Sequence, residues 1–362
     1  MTIADFLNYP KLKRNFCCGE PADCAMLTTR FTKLVGCEIP IQQAGMGAAS
    51  PPELAAAVSE AGGFGMLGTA RAGLNPATLA NLLDRTRTLT NRAFGVNFII
   101  RPGSAAAQSP REFVEQAAKV GRVVEFFYSD PNAEFVRIVH DHGALVSWQV
   151  GSVEEARRAA DIGCDVIVAQ GIEAGGHVRG TVGLVTLLCD VLEAVRDITV
   201  VAAGGIGTGR AMAAALAAGA DGVRVGTRFA ASVEADIHPI YAEALIAATA
   251  EDSIYGSTYR VGWPEAPHRV LRSAIEAAEV LPDNSIGTVT DIDGTLAAVA
   301  RFAATVADRT TTGHVGAMAL YAGQSVGAVK RLMPAREIIR ELAEEAETFL
   351  RRSGDRSADE KR

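Results

Sequence analysis

Eight short apolar segments recur along residues 39–226, separated by turns and by longer stretches with helical spacing. Segments of this kind are typical of parallel strands buried on both faces, because helices cover the sheet on each side. Eight strand–helix units fit a closed (β/α)8 barrel, or TIM barrel, better than an open sheet. The predicted strands are IPIQQ (39–43), GFGMLG (63–68), AFGVNFII (93–100), RVVEFFY (122–128), GALVSWQV (143–150), CDVIVAQ (164–170), ITVVAAGG (198–205) and DGVRVG (221–226).

The regular alternation stops after residue 232, where helical segments and polar turns replace it. We therefore expect a smaller inserted subdomain, helical or α+β, that lies over the barrel mouth on the substrate side. Residues 316–350 are expected to return as two helices of the outer ring, and the last dozen residues to fray because they are charged. The predicted division is an N-terminal arm (1–27), the barrel (28–235 and 311–350), the inserted subdomain (236–310) and a flexible tail (351–362).

The composition argues against several classes of function. The chain has 362 residues and a formal net charge of −7, which argues against nucleic acid or an anionic membrane as the main partner. The N-terminus has no apolar h-region, and no apolar stretch is long enough to span a bilayer. We therefore expect a cytoplasmic protein, and the sequence leaves a homodimer open.

Cysteine and histidine spacing predicts no metal site. Cys17, Cys18 and Cys24 cluster near the N-terminus, but a zinc site would need further ligands at suitable spacing. Reduced thiols in an N-terminal arm are the preferred interpretation.

Glycine-rich turns follow the seventh and eighth predicted strands, in VVAAGGIGTGR and VRVGTRF. In (β/α)8 barrels these two loops commonly bind phosphate through backbone N–H groups. Gly204 and Gly205 would let a phosphate approach the backbone closely, and Gly226 and Thr227 supply further amides and a hydroxyl. The alternative is that the glycines only close tight turns.

A single histidine follows two glycines at the end of the sixth predicted strand, in QGIEAGGHVRG. The imidazole of His177, with an ordinary pKa of ~6.5, can exchange a proton near neutral pH and can hydrogen-bond an anionic substrate. The alternative is a structural histidine. Glu173 is the other ionisable group of this loop, and it either takes part in the site or caps the loop.

Two amide side chains, Asn97 and Gln170, end their predicted strands. An amide donates and accepts hydrogen bonds at once, which suits a heterocycle such as a flavin or a pyrimidine. Met46, between two glycines, either lies against an aromatic ring or fills the top of the barrel.

Together these motifs resemble the nitronate monooxygenase family, formerly called 2-nitropropane dioxygenases, which are FMN-dependent (β/α)8 barrels. The resemblance runs from about residue 28 to 345 and rests on QGIEAGGHVRG, VVAAGGIGTGR with DGVRVGTRF, FGVNFI and LYAGQSVG. One departure is Gly45, which stands where many members have proline. By this resemblance His177 is the active-site histidine, and the expected FMN contacts are Gly45, Met46, Asn97, Gln170, Gly175, Gly204, Gly205, Arg224, Val225, Gly226 and Thr227.

The resemblance implies that an alkyl nitronate, or the parent nitroalkane, is oxidised by O2 to a carbonyl compound and nitrite. His177 would stabilise the anion or deprotonate a neutral nitroalkane, while FMN carries the electrons. Two alternatives stay open. One is a related FMN-dependent NAD(P)H reductase for a quinone or an enoyl thioester, which shares an EAGGH-like loop. The other is a flavin- or phosphate-binding barrel without turnover.

Overall fold

The computed structural model describes residues 27–100 and 110–359, and eight parallel strands form its central sheet. In chain order the strands are β1 (Ile41–Gln43), β2 (Gly65–Gly68), β3 (Phe94–Ile99), β4 (Val123–Phe127), β5 (Leu145–Val150), β6 (Val166–Gln170), the two-residue β7 (Gly176–His177), β8 (Thr199–Ala203) and β9 (Gly222–Val225). All except β7 belong to the central sheet, in the order β1-β9-β8-β6-β5-β4-β3-β2. A parallel bridge between Gln42 and Phe64 joins its two outer strands. The sheet therefore closes on itself, and the predicted (β/α)8 barrel is confirmed.

Helices connect the strands, and polar residues cap several of them. The side chains of Asn75, Ser152 and Thr208 accept hydrogen bonds from backbone N–H groups in the first turns of the helices that follow them. Such caps satisfy donors that a helix leaves without a partner. The helices up to the end of the barrel, with the C-terminal helix, are Arg30–Val35, Pro52–Glu60, Pro76–Leu89, Pro110–Val120, Ala133–Asp141, Val153–Asp161, Leu184–Ala194, Gly209–Ala217, Thr227–Ala230 and Ala335–Asp359.

The helix Arg30–Val35 closes the N-terminal end of the barrel. Its Phe31 is fully buried in a cluster with Phe64 and other apolar residues of the strands, and the Phe31 and Phe64 rings meet edge to face at 5.9 Å. Arg30 forms an ion pair with Asp221 at 2.9 Å, which anchors the helix to the start of β9. Since this end is packed with hydrocarbon, a ligand site is expected at the opposite, C-terminal end.

Residues 236–313 add two small antiparallel sheets and two helices at that end of the barrel. The helices are Pro239–Ala247 and Arg272–Glu279, and the strands are β10 (Ser253–Gly256), β11 (His268–Leu271), β12 (Ser285–Thr290), β13 (Leu296–Ala300) and β14 (Thr312–Gly313). One sheet has the order β10-β11-β7 and the other β13-β12-β14. The expected insertion thus contains both helices and strands, and its separation as a subdomain stays a prediction.

The segment after β14 differs from the expectation of two helices. It forms two short 3-10 turns, Val315–Ala317 and Gln324–Ala328, and then one long helix, Ala335–Asp359. The first predicted helix is wrong because Gly316, Gly323 and Gly327 weaken helical propensity there. The long helix continues through most of the segment expected to be a tail. Cys17, Cys18 and Cys24, in the expected arm, lie outside the described residues.

Within the described ranges, none of the helices combines the length and the apolar character that crossing a membrane requires.

Candidate active site

The carboxyl ends of the barrel strands open into a cavity of ≈ 800 Å³. This volume lies within the range of ~300–1,000 Å³ that is usual for small-molecule and cofactor sites. The sequence-predicted residues that line it are Gly45, Met46, Asn97, Gln170, Gly175, His177, Gly204, Gly205, Arg224, Gly226 and Thr227. Val225 is different, because it is fully buried in the hydrophobic core and does not line the cavity. Successive side chains of a strand face opposite sides, so Arg224 points inward and Val225 outward.

Gly45 lies directly against the side chain of Asn97. A Cβ added at Gly45 would stand 2.3 Å from the Asn97 Cβ and 2.6 Å from its Cγ. The backbone of this chain therefore leaves no room for a Cβ at Gly45. Met46 follows, and its backbone N–H donates to Ser50 Oγ at 2.7 Å. The Met46 side chain packs against the core and also lines the cavity, so it fills the barrel top beside the site.

The turns after β8 and β9 form one wall of the cavity. Gly204 and Gly205 have positive φ angles of 111° and 69°, which side chains other than glycine rarely adopt. Gly226 needs no such freedom, and the nearest atom that its added Cβ would meet is the Ala44 Cβ at 3.6 Å. Thr227 Oγ1 accepts a hydrogen bond from the Gly323 N–H at 3.0 Å, which ties this wall to the later chain. These glycines therefore bring main chain to the wall of the cavity, where backbone N–H groups can bind an anionic group.

Two amide oxygens on the cavity floor have no hydrogen-bond partner among the described residues. The Asn97 side chain donates through Nδ2 to Glu125 Oε1 at 2.8 Å, which leaves its Oδ1 without a donor. The Gln170 side chain donates through Nε2 to the carbonyl oxygen of His177 at 3.0 Å, and its Oε1 also lacks a donor. Buried acceptors without donors are costly. A ligand that brings N–H or O–H donors to this floor would satisfy them.

Beneath the floor lies a buried polar network that sequence reasoning did not find. Glu125 is fully buried, and its carboxylate forms an ion pair with the guanidinium of Arg224, which is 5% exposed. Arg224 also donates to Gln42 Oε1 and to Gln149 Oε1, at 2.9 and 2.6 Å. The available signal in the sequence was a lone carboxylate inside the apolar segment RVVEFFY.

His177 is half-buried in the cavity wall, among aromatic side chains from three other parts of the chain. Its ring centroid lies 4.1 Å from that of Trp263, 5.5 Å from that of Tyr321 and 6.0 Å from that of Tyr128. Trp263 and Tyr321 also line the cavity. Sequence reasoning missed these three residues, because nothing local in the sequence relates them to the histidine loop. Tyr128 has a φ of 68°, and burial raises the pKa of its hydroxyl to about 12.

A second histidine lies beside His177 and is held in its neutral form. His268 on β11 is the register partner of His177 on β7, and the two ring centroids are 5.7 Å apart. The Tyr259 N–H donates to His268 Nε2 at 3.1 Å, so His268 Nδ1 is left to donate to the Ala266 carbonyl at 2.9 Å. Burial lowers the pKa of His268 below its ordinary value of 6.5. An imidazole with both nitrogens occupied in this way positions its neighbours rather than exchanging protons.

Glu173 caps a helix. Both of its carboxylate oxygens accept from the Leu184 N–H, at 2.9 and 3.0 Å, at the start of the helix Leu184–Ala194. A carboxylate at a helix N-terminus is favourable because the first N–H groups lack partners there. Of the two roles left open by the sequence, the geometry favours the cap.

The outer wall of the cavity carries charged residues that the sequence did not single out. Arg71, Asp236 and Asp308 line it, as do residues 289–292 and 304–306. Burial lowers the pKa of Arg71 and raises the pKa of Asp236. Among the described residues, no cluster of three His, Cys, Asp or Glu side chains is suited to hold a metal ion.

A closed (β/α)8 barrel with a large polar-floored cavity at its carboxyl end is the architecture of a barrel enzyme. Residues 28–345 match the family model of nitronate monooxygenase, so the chain belongs to this family and is an oxidoreductase. Members of the family are generally flavin-dependent.

Known relatives fall into two groups by name. The chain is 33% identical to a nitronate monooxygenase from Pseudomonas aeruginosa, in an alignment covering 88% of this chain and 99% of that protein. It is 38% identical to a (3aS,4S,5R,7aS)-5-hydroxy-7a-methyl-1-oxo-octahydro-1H-indene-4-carboxyl-CoA dehydrogenase from Rhodococcus jostii. That alignment spans 65% of each chain, which is less than two thirds of the relative.

Solved structures agree on the fold. FabK from Thermotoga maritima superposes with a TM-score of 0.72 and 32% identity, covering 90% of this chain and 98% of that one. Nitroalkane oxidase from Streptomyces ansochromogenes superposes with a TM-score of 0.67 and 28% identity, covering 89% and 99%.

Proposed function

We propose that this protein binds FMN in the cavity and uses O2 to oxidise alkyl nitronates to carbonyl compounds and nitrite. The observation that carries the proposal is the position of His177, in the wall of a cavity whose floor presents two amide oxygens that need donors. Two nitronate anions and one O2 give two carbonyl compounds and two nitrite ions, so atoms and charge balance. FMN, when bound, supplies the electron transfer that the side chains cannot perform.

The residues present fit FMN at both ends of the molecule. The Asn97 oxygen suits the single N–H donor of an oxidised flavin ring, which leaves the Gln170 oxygen for another donor. Gly204, Gly205, Gly226 and Thr227 line the wall of the cavity where a phosphate would be held. We assign these residues to the two ends of the cofactor, and Met46 to the wall beside it.

His177 is assigned to the substrate. Its imidazole can hydrogen-bond the negative charge of a nitronate, and it can take the proton from the carbon of a neutral nitroalkane. The neutral His268 beside it adds no positive charge that would compete for the same anion. The rings of Trp263 and Tyr321, with centroids 4.1 and 5.5 Å from that of the imidazole, lower the local polarity, which strengthens its hydrogen bond to an anion.

Anaerobic mixing tests the proposal. The FMN-loaded protein is mixed with a nitronate, without O2, and the absorbance of the flavin is followed. Loss of the oxidised flavin absorbance with the nitronate alone is the expected result. His177→Ala should keep FMN but react with the nitronate about 10–100-fold more slowly, the loss expected for one hydrogen bond to a charged group.

His140→Ala is the matched control, because His140 pairs with Asp165 at 2.8 Å and does not line the cavity. It should react like the parent protein. A His177→Ala protein that reacts at the parent rate would remove the role assigned to this imidazole.

A second function is favoured by the dehydrogenase relatives. Two relatives, 38% and 36% identical, are named as dehydrogenases of a carboxyl-CoA compound. An FMN-dependent oxidoreductase that acts on a CoA or enoyl thioester, with NAD(P)H as the electron donor, is therefore the alternative. Rapid loss of flavin absorbance with NADH or NADPH, and none with a nitronate, would decide for it. Loss with neither would favour a binding protein without turnover.

A further inference from the structure

A carboxylate inside the barrel determines which atom of Asn97 faces the cavity. Glu125 lies in the middle of β4 and is fully buried. Its Oε1 accepts from Asn97 Nδ2 at 2.8 Å, and its Oε2 accepts from Ser147 Oγ at 3.0 Å and from Arg224 Nη2. All the hydrogen bonds of this carboxylate therefore point to residues inside the barrel.

The orientation of an amide depends on its partners. The oxygen and the NH2 group of asparagine have nearly the same shape, so either can face a given direction. An ionised carboxylate only accepts hydrogen bonds, so the NH2 group of Asn97 must face Glu125. Asn97 lines the cavity, and this orientation turns its Oδ1 away from Glu125, where it is buried and has no hydrogen-bond partner among residues 27–100 and 110–359.

Arg224 fixes the carboxylate in turn. Its guanidinium can only donate hydrogen bonds, and it donates them to Glu125, Gln42 and Gln149. Both partners of the ion pair are buried, so neither can turn towards water. The network beneath the floor is therefore rigid, and it leaves one acceptor, Asn97 Oδ1, without a donor.

We propose that Glu125 is a positioning residue that sets Asn97 as an acceptor for the N–H at position 3 of the flavin ring. The inference rests on the proposed function, because it takes FMN as the occupant of the cavity. The isoalloxazine ring of oxidised FMN has a single N–H, at position 3. A flavin that is methylated at this nitrogen should bind less well, since it leaves Asn97 Oδ1 without a donor.

Comparison of FMN with N3-methyl-FMN tests this on the apoprotein. The parent protein should bind FMN about tenfold more tightly, the ratio expected for one buried hydrogen bond. In Glu125→Gln, Arg224 donates a hydrogen bond to the only oxygen of the new side-chain amide. The new NH2 group then faces Asn97, which must turn its own NH2 group to the cavity. The preference for FMN should fall to about onefold.

A double variant restores the acceptor. In Asn97→Asp with Glu125→Gln, the new amide donates to the new carboxylate, whose other oxygen faces the cavity. The preference for FMN should return to about tenfold or more, a recovery that loss of structure cannot produce. Ser147→Ala is the matched control, because it removes a different hydrogen bond to Glu125 and should change the preference by less than about twofold.

The outcomes separate the two proposals. Failure of the parent protein to bind either flavin overturns the proposed function, and the inference with it. Binding with an unchanged preference in Glu125→Gln overturns the inference alone, and means that another acceptor takes the N–H. Should Glu125→Gln fail to fold, the double variant decides: a preference of about tenfold supports the inference, and its loss overturns it.

Discussion

Replacing Gly45 with alanine should destabilise the protein, whereas the same replacement at Gly226 should not. A Cβ at Gly45 would stand 2.3 Å from the Asn97 Cβ, while ordinary contacts begin near 3.4 Å. About 1 Å of movement is therefore needed. Rotation of the Asn97 side chain does not move its Cβ, so the backbone must shift, which strains the 2.8 Å hydrogen bond to Glu125. At Gly226 the nearest atoms, Ala44 Cβ and Met46 Sδ, lie at 3.6 and 3.9 Å, so the methyl group fits.

The size of the effect follows from these contacts. Overpacking of a filled site costs ~1–3 kcal/mol, and losing a hydrogen bond to a charged group costs ~1.5–3 kcal/mol. The two costs do not add in full, because a movement that relieves the overpacking is the same movement that weakens the hydrogen bond. The free energy of unfolding should therefore fall by about 2–5 kcal/mol for Gly45→Ala. With an unfolding entropy of ~2.1 cal/mol/K per residue, Tm should fall by about 3–7 °C. For Gly226→Ala the change should stay within about 0.5 kcal/mol.

Calorimetry of the two apoproteins and an FMN titration form the assay. Gly45→Ala should show the lower Tm and weaker FMN binding, because Asn97 is displaced. Gly226→Ala should keep the parent Tm and bind FMN more weakly, because its methyl group enters the wall assigned to the phosphate. Equal Tm values for the two variants would refute the steric argument. Unchanged FMN binding by a destabilised Gly45→Ala protein would refute the role of Asn97.

Three further predictions concern residues outside the cavity floor. Burial lowers the pKa of His268 below 6.5, so its neutral form stabilises the fold above about pH 6.5. That contribution to the free energy of unfolding is lost as the pH falls, at up to ~1.4 kcal/mol per pH unit. The Tm of His268→Asn should therefore change less than the Tm of the parent protein between about pH 7.5 and pH 5. Glu173→Ala removes the cap on the Leu184 N–H and should lower the free energy of unfolding by ~0.5–2 kcal/mol, and an unchanged urea midpoint would count against the cap. Burial raises the pKa of the Cys37 thiol to about 12, so iodoacetamide should label the exposed Cys189 at least about tenfold faster, and equal labelling by peptide mass spectrometry would contradict the shielding.

The barrel and the rim of its cavity were predictable because both follow from local patterns. Each strand is a short apolar segment, and barrel geometry places the residue after it at the same end of the sheet. Gln170 ends β6 and could be placed at the rim on this basis, whereas Asn97 lies inside β3, so the prediction that it ends its strand is wrong.

What could not be predicted depends on register and on distant segments. The Glu125–Arg224 pair joins residues 99 positions apart, on strands that are not neighbours in the sheet. Only the closure of the barrel and its inward-facing alternation bring them together. Trp263 and Tyr321 reach His177 from the insertion and from the segment after it. No spacing within the sequence relates these positions, so composition and periodicity gave no signal for them.

The floor of the cavity and the wall that carries His177 are held in place by different parts of the fold. Its floor is made of strand ends and of the buried network around Glu125, which the closed barrel holds on all sides. The wall that carries His177 is instead part of the sheet β10-β11-β7, where Arg269 of β11 donates to the Ile172 carbonyl at 2.9 Å. A change in the insertion can therefore reshape the surroundings of His177 while the Glu125 network stays in place, and the hydrogen bond from Gln170 Nε2 to the His177 carbonyl oxygen links this wall to the floor. Because function resides in sites carried by a fold, a shared floor with differing walls would let relatives bind the same cofactor and act on different substrates.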